Sequence, residues 1–571
     1  MTSLTRLTLA IAPAVLATMV VTGTAGAARP RDLALHPVRL DLPGAPSAIL
    51  PADLNQDGNA DLLVVLAYTE WGSIGEDRIE GMVQVVDVVP ALFDRREVRV
   101  WIGDGAGGYS ALSEPMPLPT SVLAVEPGPS GFPVLALTDE GVSVFRVREE
   151  GGAARIILEP VLRDVPVLSG AETFFPGLRL LFDLDGDGSR DLLLPSRDGL
   201  SAWRWTGTDF GEAAVQRLSL SGDRTFSGRG PRRRYPIPEF GDLDGDGSPD
   251  LMVSDQLDTR RLLVHRGIGG ARFADPAVLS LECIGRPANA RRDMRSAAGD
   301  GDSGKVPKKK ARKKGNDSAV VPPGDEVLFV GDLDGKDTAE VVLSRDLGTE
   351  DGLDEAREPH SLLSIHKIRR DLTVESDPYT RLEIRGHPFS GQWPELLSSG
   401  FEDLDGDGRK DLVTVTLDFS VLQIVRVLAT KRVSLGLDFH IWCQQGDGTF
   451  QEVKGLDLSE KMRFDLNDLK LDRLAQFQGD FDGDGRLDFV HLGRGSRITI
   501  HRGQPHCRYG TKPDLTVDIG EEPQDLSLVR IADLDGDGRS DLSVTRLLPP
   551  REAGLTTPVR LDLYLSGEAG K

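Results

Sequence analysis

Cysteine is scarce in this chain of 571 residues, which contains only Cys283, Cys443 and Cys507. Three cysteines can form at most one disulfide among themselves, and the sequence does not indicate which two would pair. The framework of several disulfides that is typical of small secreted domains is therefore excluded. The fold must be stabilised by packing and by any metal ions that the chain binds.

Aromatic residues are also few, at 6%, and the apolar residues occur in short runs rather than in long helical stripes. Hydrophobic residues nevertheless make up 39% of the chain, which is enough to bury a core. The 64 glycines and 36 prolines indicate many turns. Short apolar runs separated by turns favour an all-β fold.

Positive charge is in deficit, since the formal net charge is −23 and the isoelectric point is near 4.9. A surface of this sign repels nucleic acids and anionic membranes wherever no basic patch interrupts it. The one exception is the run Lys305–Lys314, which lies in a segment rich in Gly, Ser and Asp. We predict that residues 286–323 form a disordered insertion, whose basic run could contact a polyanion.

The N-terminus, residues 1–28, has the features of a secretory signal peptide. Arg6 supplies a positive charge, Leu7–Val21 is apolar, and Ala25–Ala27 offers small residues for cleavage. An uncleaved membrane anchor is the alternative, although Pro13 breaks the apolar run. No other segment is expected to span a membrane, so the sequence predicts a secreted, periplasmic or cell-surface protein.

A nine-residue repeat, Asp-x-Asp-x-Asp-Gly-x-x-Asp followed by an apolar run, organises the rest of the chain. Well-formed copies begin at Asp53, Asp183, Asp242, Asp403, Asp480 and Asp533. A decayed copy begins at Asp332. An eighth unit without an acidic loop is expected at Pro133–Val147, because this segment aligns with Asp191–Trp205. The units recur every 50 to 90 residues or so, roughly the length of a four-stranded propeller blade with insertions.

The repeats predict a single β-propeller domain over residues 29–571, with seven to eight four-stranded antiparallel blades. Short apolar strands flank each acidic loop, and several third strands end in a glycine-rich turn before an aromatic residue, as in Gly267–Phe273. Only two strands follow the last loop. We therefore expect residues 29–45, and Leu33–Leu42 in particular, to supply the missing outer strand and to close the ring.

Each well-formed loop carries the oxygen ligands that calcium requires. Aspartates at positions 1, 3 and 5 surround one point, Gly at position 6 reverses the chain, position 7 offers its carbonyl oxygen, and Asp at position 9 completes the set. Four carboxylates this close together repel one another unless a cation joins them. We predict about six Ca²⁺ sites. The predicted side-chain ligands are Asp53, Asn55, Asp57 and Asp61; Asp183, Asp185, Asp187 and Asp191; Asp242, Asp244, Asp246 and Asp250; Asp403, Asp405, Asp407 and Asp411; Asp480, Asp482, Asp484 and Asp488; and Asp533, Asp535, Asp537 and Asp541.

The charge of the chain agrees with this interpretation. Five loops carry four of these aspartates and the Asp53 loop carries three, and together they equal the net charge of −23. The Asp332 copy departs from the pattern, with Lys336 at position 5 and Glu340 at position 9. In this loop we expect the Lys336 ammonium to lie among Asp332, Asp334 and Glu340 and to take the place of a metal ion. We therefore expect no calcium to bind there.

The acidic loops, with the aromatic turns that follow them, resemble the FG-GAP/VCBS repeats of integrin-α-like propellers over nearly the whole chain after the signal peptide. The resemblance implies calcium in hairpin loops on one face of a propeller, in a secreted or surface protein with an adhesive or ligand-binding role.

We therefore expect a non-catalytic binding or adhesion module whose ligand is a protein or a carbohydrate. A polysaccharide-degrading lyase or hydrolase on the same scaffold, or a structural envelope or matrix protein, are the alternatives. The segment Gly299–Lys305 imitates a phosphate-binding loop, but Val306 stands where Ser or Thr is needed, so no nucleotide is expected. The spacing of His491, His501, His506 and Cys507 fits no standard zinc site.

Overall fold

The computed structural model describes most of the chain after the predicted signal peptide. The described residues are 33–68, 95–112, 114–119, 121–129, 131–151, 153–164, 179–196, 199–220, 223–227, 230–234, 238–254, 261–280, 286–287, 326–336, 338–347, 358–389, 400–418, 432–453, 459–465, 470–471, 474–492, 495–521, 523, 529–548 and 559–568. Within these residues every regular element is a β-strand. No described helix could cross a membrane.

The strands form eight antiparallel blades, which we number along the chain. The four strands of blades 1 to 4 are Ala45–Ala52, Asp61–Tyr68, Arg95–Gly103 and Tyr109–Ala111; Val122–Pro127, Val134–Thr138, Gly141–Glu150 and Ala153–Arg163; Leu181–Phe182, Asp191–Ser196, Gly199–Trp203 and Gln216–Ser219; and Glu239–Gly241, Asp250–Ser254, Arg261–His265 and Ala277–Ser280. Those of blades 5 to 8 are Glu326–Gly331, Glu340–Asp346, His360–Lys367 and Thr380–Arg385; Phe401–Glu402, Asp411–Asp418, Arg432–Gln444 and Ser459–Asp465; Leu474–Phe477, Phe489–Leu492, Arg497–His501 and Leu515–Asp518; and Val529–Ala532, Asp541–Leu547, Val559–Glu568 and Leu33–Leu42.

Shorter strands extend or decorate these blades. Arg286–Pro287 runs parallel to the start of Glu326–Gly331, so the first two residues of the predicted insertion belong to the blade 5 sheet. The others are Met116–Pro117 in blade 1, His387–Pro388, Phe450–Glu452 and Lys470–Leu471 in blade 6, and two separate hairpins, Asp223–Ser227 with Gly230–Arg234 and Gly503–Gln504 with Arg508–Tyr509.

The ring closes as predicted. Leu33–Leu42 pairs antiparallel with Val559–Glu568 over its full length, from Leu33 opposite Glu568 to Leu42 opposite Val559. It therefore occupies the fourth, edge position of blade 8, while the other three strands come from the C-terminal end of the described chain. The first and last strands of the described chain are thus joined in one sheet, which ties the first blade to the last.

The unit without an acidic loop is a complete blade. Val134–Thr138 and Gly141–Glu150 are its second and third strands, within the predicted segment Pro133–Val147, and Ala153–Arg163 is its fourth. The structure therefore decides between the two predicted counts, and the propeller has eight blades.

Apolar packing between neighbouring blades forms the core. The apolar residue at position 2 of each acidic loop is at most 3% exposed, because it inserts between two blades. Leu534 of blade 8 packs with Tyr109 of blade 1, and Leu184 of blade 3 packs with Phe273 of blade 4. The aromatic residue after each glycine-rich turn is thus the partner of an acidic loop in the preceding blade, and this packing fixes the loops relative to one another.

Candidate metal sites

The seven acidic loops connect the first and second strands of blade 1 and of blades 3 to 8, so they share one position in the repeat. Successive loops are also hydrogen-bonded to each other. In blade 5 the position 8 N–H of Ala339 donates to the position 2 carbonyl of Leu243 in blade 4, and Lys410 and Leu487 repeat this contact in blades 6 and 7. The loops of blades 4 to 7 therefore form a chain of linked turns on the propeller.

The aspartates at positions 1 and 5 shape the turn. In blade 4, Oδ1 of Asp242 accepts a hydrogen bond from the Gly245 N–H and Oδ2 accepts one from the Gly247 N–H, both at 2.8 Å. Asp246 in turn accepts the N–H of Ser248 at 2.8 Å. Gly247 has a φ of +88°, a conformation that side chains disfavour, which explains the invariant glycine at position 6 of the well-formed loops. The carboxylates are thereby held with defined orientations.

The aspartate at position 9 ties the loop to the third strand. Asp250 is fully buried; its Oδ2 accepts the Leu243 N–H at 3.0 Å and its Oδ1 accepts the Gly267 N–H at 2.9 Å. The sequence predicts Asp250 only as a calcium ligand and does not predict these backbone contacts. The same pair of contacts occurs at Asp61, Asp191, Asp411, Asp488 and Asp541.

Burial makes these position 9 carboxylates difficult to ionise. Desolvation, with a smaller contribution from the negative charge of the position 3 aspartate, raises the pKa of Asp250 to about 6 and the pKa of Asp411 to about 7, although the two backbone hydrogen bonds to each carboxylate act in the opposite direction. The pKa of Asp191 is raised to about 6, and those of Asp488 and Asp541 to about 7, for the same reasons. Each loop therefore concentrates negative charge that a cation would stabilise.

The aspartate at position 3 provides the test of whether a cation fits. In five loops its Oδ1 is buried and makes no hydrogen bond to any described residue. An unpartnered carboxylate oxygen in such a place costs free energy, unless a metal ion occupies its lone pairs. The five residues are Asp185, Asp244, Asp334, Asp405 and Asp482.

The oxygens of each loop converge on one point. Carboxylate oxygens of Asp183, Asp185 and Asp191 lie within 4.8 Å of one another, and so do those of the sets Asp242, Asp244, Asp246 and Asp403, Asp405, Asp411. Three or four carboxylates with no nitrogen or sulphur donor suit a hard divalent cation such as Ca²⁺. The predicted residues are therefore compatible with calcium, which the oxygens of positions 1, 3, 5 and 9 would hold.

The third strand contributes a cation that the sequence analysis missed. Nε of Arg204, Arg266 and Arg502 lies 2.7, 3.2 and 3.3 Å from Oδ2 of the position 3 aspartate in blades 3, 4 and 7. Each arginine immediately precedes the residue whose N–H binds the position 9 aspartate. The sequence repeats an arginine at this place, as in His265–Gly267 and His501–Gly503, and this repeat is the signal by which the arginines could be found.

The structure of the decayed loop in blade 5 agrees with the prediction only in part. The Lys336 ammonium lies 2.9 Å from Oδ2 of Asp334, and Lys367 lies 3.7 Å from the same oxygen. Glu340 is fully buried and its Oε2 accepts the Leu333 N–H at 2.9 Å. Its Oε1 has no hydrogen-bond partner among the described residues, so Lys336 engages Asp334 rather than the whole cluster.

The histidine at the end of the third strand of blade 7 contacts the backbone, as its counterpart in blade 4 does. His501 Nδ1 lies 2.8 Å from the Gly510 carbonyl oxygen, as His265 Nδ1 lies 3.2 Å from that of Ala274 in blade 4. Cys507 forms a disulfide with Cys443, which identifies the pair that the sequence left open. Nδ1 of His501 and the sulfur of Cys507 therefore both have other partners in the structure.

Comparisons with known proteins agree with the repeat. The FG-GAP-like repeat family matches residues 183–280 and 480–544. No curated protein matches the chain. Among solved structures, the Tc holotoxin pore of Photorhabdus luminescens is similar at 11% identity and a TM-score of 0.19, over 93% of this chain and 27% of that one. This TM-score is too low to bear on fold or function, and the chain spans about a quarter of the length of the toxin chain. The chain is therefore an eight-bladed β-propeller whose sequence contains FG-GAP-like repeats.

Proposed function

We propose that this protein is a secreted, calcium-stabilised propeller that acts as a non-catalytic binding or adhesion module for a protein or carbohydrate ligand. FG-GAP propellers suggest a binding role at the level of the fold. The observation that carries the calcium part of the proposal is the position 3 aspartate, whose Oδ1 recurs as a buried oxygen without a described partner. One such oxygen would be unremarkable, but it recurs in four of the six predicted calcium loops, which supports a shared ligand; the fifth, that of Asp334, lies in the loop where Lys336 supplies a positive charge.

Calcium would serve to hold the loops rather than to react. Positions 1 and 5 are engaged by backbone N–H groups of their own turn, and position 9 anchors the turn to the third strand. A cation bound among them would neutralise the repulsion between carboxylates that burial intensifies. The linked turns would then present a rigid surface for a ligand, and rigid surfaces lose less entropy on binding.

The acidic clusters of the repeats are suited to this role more than to acid–base catalysis. Their position 1 and position 9 carboxylates each accept two or more backbone hydrogen bonds, and the same arrangement recurs from blade to blade. Catalytic carboxylates work as one differentiated pair, with pKa values pushed apart by different surroundings. A repeated set of equivalent sites favours a structural use of the charge, and the proposal accordingly assigns no catalytic residue.

The proposal is tested by measuring ligand binding with and without calcium. The purified chain is applied to glycan and extracellular-protein arrays in 1 mM CaCl₂ (roughly the range used for extracellular modules) and in excess chelator. We expect retention of a defined ligand class in calcium and its loss in chelator. A chain that depolymerises polysaccharides in a parallel assay, or that binds identically in chelator, would contradict it.

A further inference from the structure

In blade 6 a disulfide occupies the place where blades 3, 4 and 7 carry an arginine beside the acidic loop. Cys443, which is bonded to Cys507, directly precedes Gln444, whose N–H donates to Oδ1 of the position 9 aspartate at 2.8 Å. In blade 4 the equivalent residue is Arg266, whose Nε lies 3.2 Å from Oδ2 of the position 3 aspartate. A cysteine in a disulfide carries no charge, so the position 3 aspartate of blade 6 is held by a different contact.

That aspartate, Asp405, is held by the next blade. The His506 N–H of the blade 7 hairpin donates to Oδ2 of Asp405 at 2.6 Å, while Oδ1 is buried and has no described hydrogen-bond partner. The sulfurs of Cys443 and Cys507 both lie within 4.8 Å of a carboxylate oxygen of Asp405. Because Cys507 directly follows His506, the disulfide and the N–H donor reach Asp405 from one turn of the chain. One oxygen of this carboxylate is therefore fixed from blade 7, and the other is available to a cation.

The turn that carries His506 and Cys507 is attached to blade 7 at its base and to blade 6 at its tip. At the base, the Tyr509 hydroxyl donates to the Leu487 carbonyl oxygen at 2.9 Å. At the tip, the disulfide and the hydrogen bond to Asp405 both reach across to blade 6. His506 and Cys507 have φ values of 62° and 53°, a conformation that residues other than glycine adopt at a cost in free energy. Opening the disulfide would let this turn relax and withdraw its N–H from Asp405.

We propose that the Cys443–Cys507 disulfide and His506 position Asp405 for calcium in blade 6, so that the disulfide and the calcium ion stabilise each other. The inference rests on the proposed calcium binding and adds to it a control of one site by the thiol–disulfide state of the chain. A carboxylate that is already oriented loses less freedom when it binds a metal ion, which raises the affinity. Because linkage is reciprocal, the factor by which the disulfide raises calcium affinity is also the factor by which calcium resists reduction of the disulfide.

The expected size of the coupling is moderate, because other contacts hold the blade 6 loop in either state. Arg409 contacts the position 5 carboxylate of Asp407, and the Leu404 N–H donates to Asp411 at 3.0 Å. These contacts lie within blade 6 and do not involve the hairpin. Opening the disulfide therefore removes one hydrogen bond to a charged group, which predicts a fall in calcium affinity of about tenfold.

The test measures the disulfide at equilibrium in glutathione buffers that contain saturating calcium, by alkylation of free thiols and intact mass. One protein disulfide and two reduced glutathione molecules give two cysteine thiols and one oxidised glutathione. All chains carry Cys283→Ser, which leaves one pair of cysteines to follow. Asp407→Ala removes the position 5 ligand of blade 6, and the matched control Asp246→Ala removes that of blade 4. Both side chains are exposed, so both variants should fold.

We expect Asp407→Ala to be half reduced at a ratio of squared reduced glutathione to oxidised glutathione about tenfold lower than the parent chain. Asp246→Ala should follow the parent, because its lost ion does not touch the hairpin. Equal midpoints in all three chains would overturn the inference. An equal shift in both variants would also overturn it, since calcium would then protect the disulfide only through the stability of the whole ring.

The reciprocal measurement counts calcium ions bound per chain by native mass spectrometry at buffered free calcium, before and after reduction of the Cys283→Ser chain with a water-soluble phosphine. The phosphine is oxidised to its oxide with oxygen from water, and both cysteines become thiols. One ion per chain should then be released at about tenfold higher free calcium, and Asp407→Ala should show no such change. Identical calcium binding in the two states would overturn the inference while the proposed function stands. A chain that binds no calcium in either state would overturn both.

Discussion

Cys443 and Cys507 form a disulfide that joins the third strand of blade 6 to the hairpin of blade 7. The bond spans 64 residues of sequence and lies beside Asp405, whose carboxylate accepts the N–H of His506. The disulfide thus fixes one blade to the next at the edge of a candidate metal site. His506 and Cys507 both have positive φ values, the left-handed conformation that tight hairpin turns use.

Removing this disulfide should destabilise the propeller. Replacing both residues, Cys443→Ser with Cys507→Ser, releases the constraint on the unfolded chain and is expected to cost about 2–4 kcal/mol. Urea unfolding under non-reducing conditions measures the loss. Cys283→Ser is the control, because it leaves the bond intact and should unfold like the wild type. Equal stability of all three chains would show that the bond contributes nothing.

Removing the ligands of one loop should remove one calcium ion. In Asp244→Ala with Asp246→Ala, positions 3 and 5 of blade 4 are lost while the other loops keep their own ligands. Because contacts run mainly between neighbouring blades, we expect a loss of about one ion per chain by metal analysis. Asp275→Ala, an exposed acid in the same blade, should lose none. Loss of all bound metal would indicate that the sites depend on one another through unfolding of the whole ring.

Glu126 should make the stability of blade 2 depend on pH. Blade 2 has lost its acidic loop, and Glu126 is the acid that remains there. Its Oε2 accepts a hydrogen bond from the Leu180 N–H of blade 3. Burial raises the pKa of Glu126 from an ordinary 4.5 to about 7. The folded chain therefore keeps a proton that the unfolded chain releases, so stability falls as the pH rises from about 4.5 to about 7.

The variant Glu126→Gln removes this dependence. Relative to the variant, the wild type should lose up to about 3 kcal/mol of unfolding free energy between pH 4.5 and pH 7.5, measured by urea unfolding in saturating calcium. Glu140→Gln, an exposed acid on the same blade, should follow the wild type. A difference between wild type and Glu126→Gln that does not change with pH would contradict the assignment.

The basic run Lys305–Lys314 lies outside the described residues, and its proposed contact with a polyanion stays a prediction. Deleting it should leave folding and calcium content unchanged but abolish retention on heparin, which should be lost steeply with salt in the intact chain. Retention that is equal with and without the run would mean that the run is only a solvated segment.

Much of the architecture could be predicted because the fold is repetitive. The acidic loops mark one position in seven blades, and the alignment of Pro133–Val147 with Asp191–Trp205 located the blade that has no such loop. The strand that closes the ring, Leu33–Leu42, followed from counting strands after the last loop. Because the blades repeat, an inference drawn from one acidic loop applies to the equivalent loops of the other blades.

The parts that the sequence could not supply depend on contacts between distant residues. Arg204 lies 19 residues after Asp185 and just beyond the strand Gly199–Trp203, so its contact with Asp185 depends on how the third strand meets the loop. The pairing of Cys443 with Cys507 depends on how two blades meet, and the backbone bonds of Asp250 depend on where the third strand ends. Such contacts are fixed by tertiary packing, and the sequence alone does not show which partner each residue meets.

The most direct test of the whole account is the melting temperature of the intact chain in excess chelator, followed by addition of Ca²⁺ or Mg²⁺. A ligand that binds only the folded state stabilises it by about 2.7 kcal/mol per site at a hundredfold excess over its dissociation constant, and several sites act together. We predict a large fall in melting temperature in chelator that calcium reverses and magnesium, which demands octahedral geometry, reverses poorly. A melting curve that is unchanged by chelator would contradict the central claim that these loops bind calcium.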